Sequence, residues 1–295
     1  MTGAGIVIRL LSAGLMIGMP LAAAYFVLKR FPGAGPRFLL WGAGSFVFSQ
    51  LLHLPFNRWV LLPGLENGLS PDWQGWIQAA LTGVALGLSA GIFEECSRWL
   101  AFRLWSPEDR RWKSAVALGV GHGGLEAFLI GLLALFALVQ AVVLENPAAL
   151  EALGPRQAQL AAEQLSAYWE TSGGVVLLGA VERLAAMLFH LGASVLVMQV
   201  FLRGSPGWLG AAVLVHTGLN AAAVYGIRQW GVLPTEAVIF LLGGAVAVWG
   251  WRLRPRKAAD PGEEAADREG PGFGALKGDQ KGEVREEQLE RSRDQ

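Results

Sequence analysis

Two adjacent carboxylates and a guanidinium, Glu94, Glu95 and Arg98 in GIFEECSRW, interrupt an apolar run between Trp76 and Trp105. Similar interruptions recur along the chain: His122 and Glu126 in GVGHGGLEAF, Glu182, Arg183 and His190 in VERLAAMLFHLGAS, and His216 and Asn220 in VHTGLNAAA. An ionisable side chain placed in hydrocarbon costs about 2.5–3.5 kcal/mol on insertion scales, so each such residue is a functional candidate. Glutamate and histidine together can activate water, move a proton or hold a metal ion.

Spacing and depth tie these residues together. Glu94 and Arg98, His122 and Glu126, and His216 and Asn220 are each four apart, which puts the members of a pair on one helix face. Counted from the basic end of its span, Glu94 is about 11 residues in, His122 about 9, His190 about 12 and His216 about 9; at about 1.5 Å per residue they share one layer. Gly119, Gly121, Gly123 and Gly124 surround His122 and would let neighbouring helices approach it closely. One polar site, built where four helices meet, is the expectation.

The elements that must position this layer are membrane spans. Of 295 residues 53% are hydrophobic and 16% charged, and the mean hydropathy is +0.40, which points to an all-α, polytopic membrane protein. Hydrocarbon about 30 Å thick needs roughly 20 helical residues. About seven stretches qualify: 5–28, 37–55, 76–105, 113–144, 173–202, 207–226 and 235–253. The first ends in Lys29-Arg30, so it reads as a signal-anchor helix and not as a cleaved leader.

Residues 1–253 are thus the expected transmembrane domain, with the active core at about 76–226. The polar, Pro- and Gly-rich segment 254–295 is expected to be a disordered cytosolic tail. Between the fourth and fifth spans, 145–172 is expected to include a short amphipathic helix.

Orientation follows from lysine and arginine. Lys29, Arg30 and Arg37, then Arg103, Arg110, Arg111 and Lys113, then Arg203, then Arg252, Arg254, Arg256 and Lys257 fall on one side of seven spans. Glu66 and Asp72, and Glu145, Glu151, Glu163 and Glu170, fall on the other. The expected topology is multi-pass in the cell membrane, N-terminus outside and C-terminus cytosolic, with the polar layer in the cytosolic half. Charges balance, 24 against 24, and no basic patch suggests nucleic acid. The single cysteine, Cys96, excludes an internal disulfide and a cysteine-rich metal site.

Plainer roles exist for single members. A Glu–Arg pair can merely neutralise itself, a lone histidine or Asn220 can be interhelical glue, and Glu182, Arg183, Gln50 and His53 read as structural residues nearer the outer face. Taken jointly, the layer supports hydrolysis. Glu94 or Glu95, steered by His122, would deprotonate water; His216 and Asn220 would donate to the oxyanion; His190 would hold water, an ion or the leaving group. His122, His190 and His216 with a glutamate also suit zinc, although no H-E-x-x-H is present, so metal-free and zinc chemistry both stay open. Two rivals share these residues: a seven-span zinc hydrolase of lipid amides and a proton-coupled transporter. Neither repeated halves nor a proline-interrupted helix pair supports the latter.

EE-x-x-R on one span, GHGG-x-E on the next, a histidine in a later span and then H-x-x-x-N resemble the YhfC-like membrane peptidases. These are similar to the wider CAAX-protease and bacteriocin-processing superfamily and to the PrsW-type proteases. The resemblance covers roughly residues 40–226. It implies an intramembrane endopeptidase whose substrate is a membrane-embedded peptide or protein. It also implies that Glu94 or Glu95 is the catalytic carboxylate, Arg98 its partner, and His122, His216 and Asn220 further site residues. CAAX-type enzymes have three residues between the glutamates and the arginine, where this chain has two, and an F-x-x-x-H motif, where position 118 is Leu. GHGGLE stands closer to the PrsW arrangement, with Glu126 in place. The substrate is left unassigned.

Overall fold

The computed structural model describes residues 2–31, 35–70 and 73–255. Its main unit ends at Arg254. Asp72, Arg256, Lys257 and the expected tail lie outside the described residues.

Every regular element described is helical. In chain order they are α1 (Gly3–Arg30), α2 (Gly35–Phe56), α3 (Leu62–Gly68), α4 (Gly75–Leu104), α5 (Trp112–Leu144), α6 (Pro147–Glu151), α7 (Pro155–Glu170), α8 (Gly173–Arg203), α9 (Gly207–Gln229) and α10 (Val232–Arg252). Among the described residues seven helical stretches are long and apolar enough to cross a membrane. They coincide with the seven expected spans except at one end. The second runs from Pro36 to Gly68 because α2 continues through a π-helical turn, Asn57–Leu61, into α3. That wider turn sits where Pro63 cannot donate to the carbonyl of Trp59, four residues back.

The helices begin and end for local reasons. Thr2 Oγ1 accepts from Gly5 N at 3.1 Å to open α1, and Ser172 Oγ accepts from Val175 N at 3.4 Å to open α8. Gly204, at φ +65°, closes α8 in the left-handed conformation that favours glycine. Arg110 caps α4 by donating to Phe102 O at 3.0 Å and Trp105 O at 2.8 Å, so part of the basic loop between α4 and α5 is structural.

Packing follows the small residues. α8 is the most enclosed span; α5 lies against α1, α2 and α8, α10 against α8, and α4 along α9. Gly83, Gly87 and Gly91 form a stripe on α4 at four-residue spacing. A Cβ on any of them would meet α9 at Ala221, Thr217 or Val213, which is why these two helices run so close. Large apolar side chains such as Leu133, Phe136 and Val139 of α5 face outward, as lipid contact requires.

The segment between α5 and α8 holds the expected amphipathic helix, α7. It is fastened by Arg9 of α1, a buried charge in the first span that sequence reading passed over. Arg9 donates to the carbonyls of Tyr168 and, at 3.3 Å, Thr171, and its guanidinium lies 4.5 Å and 4.9 Å from the ring centres of Tyr168 and Trp169. Burial pushes the Tyr168 phenol above its ordinary range, against the pull of Arg9.

Candidate active site

α4, α5, α8 and α9 bring the expected layer to one point. Glu94 Oε2 lies 3.1 Å from His122 Nε2, 3.9 Å from His190 Nδ1 and 3.9 Å from His216 Nε2. The ring centres of His122 and His190 are 5.1 Å apart, and those of His190 and His216 5.8 Å. Glu94, Glu95, Arg98 and the three histidines are all buried.

Glycines make the approach possible. A Cβ on Gly123 would lie 2.9 Å from His190 Cβ and Cδ2, and one on Gly119 would lie 2.8 Å from His190 O. On the other face of α5, Gly121 and Gly42 of α2 leave room for each other's helix at Leu39 and Leu118. The glycines flanking His122 therefore bring α2 and α8 up to it, as their spacing suggests.

The two glutamates have different surroundings. Glu95 is ion-paired with Arg98 and accepts from His216 Nδ1 at 2.7 Å. Glu94 faces the histidines; Arg98 Nη2 is 3.4 Å from its Oε2, and Gln50 Nε2 donates to its Oε1 at 3.3 Å. Glu94 is at the centre and Glu95 beneath it.

Hydrogen bonds also set the histidine tautomers. Ser45 Oγ donates to Gly42 O at 2.7 Å, so it accepts from His122 Nδ1–H at 2.9 Å, leaving the Nε2 lone pair directed at Glu94. His216 donates from Nδ1 to Glu95, so its Nε2 lone pair also faces Glu94. His190 differs. Arg98 Nη2 donates to its Nδ1 at 2.6 Å, and its Nε2–H donates to Glu126 Oε2 at 2.7 Å, so both nitrogens are engaged.

These lone pairs test whether a cation fits. A neutral imidazole nitrogen 3.1 Å from a carboxylate oxygen is repelled unless a proton or a cation bridges them. Histidines whose remote nitrogens are held by a carboxylate or a hydroxyl have the outer support typical of metal ligands. Donor atoms of Glu94, His122 and His190 lie within 4.8 Å of one another, a buried group able to hold an ion. His190 Nδ1 also accepts from Arg98, whereas His216 Nε2, 3.9 Å from Glu94 Oε2, does not, so a second set exchanges His190 for His216. Glu94 and His122 are common to both sets.

The remaining expected residues divide. Glu126 joins through His190, and Arg183 Nη1 in turn donates to Glu126 Oε1 at 2.7 Å. Arg183, ion-paired also with Glu182, thus ends one hydrogen-bond chain leading to the cluster. Asn220 is half-buried, and its side chain has no hydrogen-bond partner among the described residues. Ser45 and Gln50 are site neighbours that sequence reading missed or placed elsewhere. Their signal was spacing on α2, where Ser45, Ser49 and His53 recur every four residues. His53 makes its hydrogen bond outside the cluster, accepting from Asn57 Nδ2 at 2.8 Å, and Cys96 is exposed.

Residues 15–242 match a family described as YhfC intramembrane metalloprotease. Over 255 residues the chain is 29% identical to the uncharacterized membrane protein YhfC of Bacillus subtilis (strain 168), which covers 82% of this chain and 92% of that protein. No solved structure matches.

Proposed function

The chain belongs to the YhfC intramembrane metalloprotease family, and from that premise we propose that it hydrolyses peptide bonds of a membrane-embedded protein at the Glu94 cluster. One observation carries the reading: a single carboxylate oxygen, Glu94 Oε2, has a nitrogen of each of three buried histidines within 3.9 Å.

In this reading His122 and His216 would hold a divalent ion, with Glu94 as the third donor, a His₂–carboxylate set suited to zinc. When bound, such an ion supplies a Lewis acid and a water ready to ionise near neutrality. Glu94 Oε1, oriented by Gln50, receives the proton of the attacking water and returns it to the leaving amine. The Asn220 amide donates to the developing oxyanion, a kind of contact worth about 3–4 kcal/mol elsewhere. Glu95 fixes the tautomer of His216, and Arg98 balances the two carboxylates while holding His190 in place.

The proposed orientation is N-terminus outside and C-terminus cytosolic. Basic residues fill the last turns of α1, α4, α8 and α10, ends that share one side in an alternating bundle.

The test is purified protein in liposomes with a library of single-span peptides, assayed for cleavage and metal content. Glu94→Gln should lower cleavage by about 10² or more while the protein stays folded. Full activity of Glu94→Gln would overturn the assignment. Proton flux with no cleavage of any peptide would replace it with the transport reading.

A further inference from the structure

A groove of about 590 Å³ opens between α2 and α4, on the side of the cluster where Ser45 stands. Its rim is large and apolar: Leu40, Trp41, Phe48, Leu100 and Leu104 are all substantially exposed. Its floor is small: Gly44 and Ser45 on α2, Ser97 and Ala101 on α4. Both floor hydroxyls are internally satisfied, Ser45 by Gly42 and Ser97 by Phe93 O at 2.6 Å, so neither asks for a polar ligand. At one end the groove reaches Arg37, which is ion-paired with Asp109. Toward the other it passes Ser45, whose hydroxyl holds His122, and ends at Phe48.

We infer that this groove is where the substrate docks, as one apolar transmembrane helix lying between α2 and α4. The inference rests on the peptidase reading and adds to it the form of the substrate and its route to the cluster. Three properties favour a helix. From Arg37 to Phe48 the groove follows α2 for about 16 Å, over which a helix 10 Å across displaces about 1,300 Å³. The cavity thus takes roughly half a helix and leaves the rest in lipid. A helix keeps its backbone hydrogen bonds in a groove that offers almost none, whereas an extended peptide would not. Finally, Ser97 and Ala101 are four apart and face Gly44 and Ser45, the small-residue pattern that lets helices approach closely in a membrane. The substrate then has to unwind only at the inner end, beside Ser45 and the cluster.

Gly44 makes the inference testable. A Cβ there meets nothing within 4 Å, so a larger side chain fills the groove without disturbing the bundle. The probe is a lysine-flanked Leu/Ala single-span peptide in liposomes. A photoreactive benzoylphenylalanine replaces either Phe48 on the groove rim or Phe136, which is exposed on α5 outside it. Labelling of the peptide from position 48 should exceed that from 136 by about tenfold. Gly44→Leu should abolish the excess, Gly44→Ala should retain it, and Gly18→Leu, at an equally open site on α1, should leave it unchanged.

Equal labelling from both positions, adducts with phospholipid alone, or an excess that survives Gly44→Leu would each overturn the inference. Labelling from position 48 by a protein that cleaves no peptide would support the groove and refute the peptidase reading. Cleavage undiminished by Gly44→Leu, without labelling, would refute the groove alone.

Discussion

His216 Nδ1 is 2.7 Å from Glu95 Oε1, the same oxygen that takes the ion pair from Arg98. That one atom fixes the ring of the histidine on α9 from the glutamate on α4, and it separates the roles of two adjacent carboxylates. Glu94 faces the histidines and Glu95 stands behind one of them.

Glu95→Gln should therefore differ from Glu94→Gln. A glutamine still reaches His216 but loses the charge that supports it, an outer-shell change that typically costs 10–100-fold in metal affinity or activity. Competition for bound zinc by a chelator should register that drop, while cleavage at saturating zinc recovers in Glu95→Gln and not in Glu94→Gln.

Arg98→Ala should lose stability before it loses anything else. It strips the partner from Glu95, the nearest cation from Glu94 and the donor to His190 Nδ1, all buried. Breaking one buried pair costs about 3–5 kcal/mol. The expected result is aggregation on size exclusion or a steeply lowered melting temperature.

Ser45→Ala tests the support of His122. One neutral hydrogen bond to the ring is lost, about 1 kcal/mol of stability. The ring becomes free to take its other tautomer, and cleavage should fall by at least tenfold with the fold intact by size exclusion.

Gly123→Ala tests the spacing of α5 and α8. The added methyl would stand 2.9 Å from the His190 ring, and overpacking of this kind costs about 1–3 kcal/mol. A melting temperature lowered accordingly, with reduced zinc retention, is the expected outcome. Gly44→Ala, whose methyl meets open space, is the control.

Orientation is checked by reporters. One fused after Leu253 should read as cytosolic, and one between α6 and α7 as external, if the basic helix ends face the cytosol.

Much of this was legible in the chain, because hydrocarbon penalises charge so strongly that most buried ionisable residues stand out against an apolar background, although Arg9 near the start of the first span did not. Span number, the membership of Glu94, His122, His190 and His216 in one layer, and the close packing implied by the glycines around His122 all follow from that cost and from helical geometry. The sequence could not separate Glu94 from Glu95. Adjacent residues differ by about 100° around a helix, and only the placement of α9 and α5 decides which of them meets the histidines. Nor could it rank the histidines. Their availability depends on what occupies the second ring nitrogen, and those partners, Ser45, Glu95, Arg98 and Glu126, come to each ring from another helix. Ser45 was passed over and Gln50 read as structural for the same reason: neutral side chains carry a smaller insertion penalty to mark them, and it is the packing of α2 against α4 and α5 that makes them part of the site.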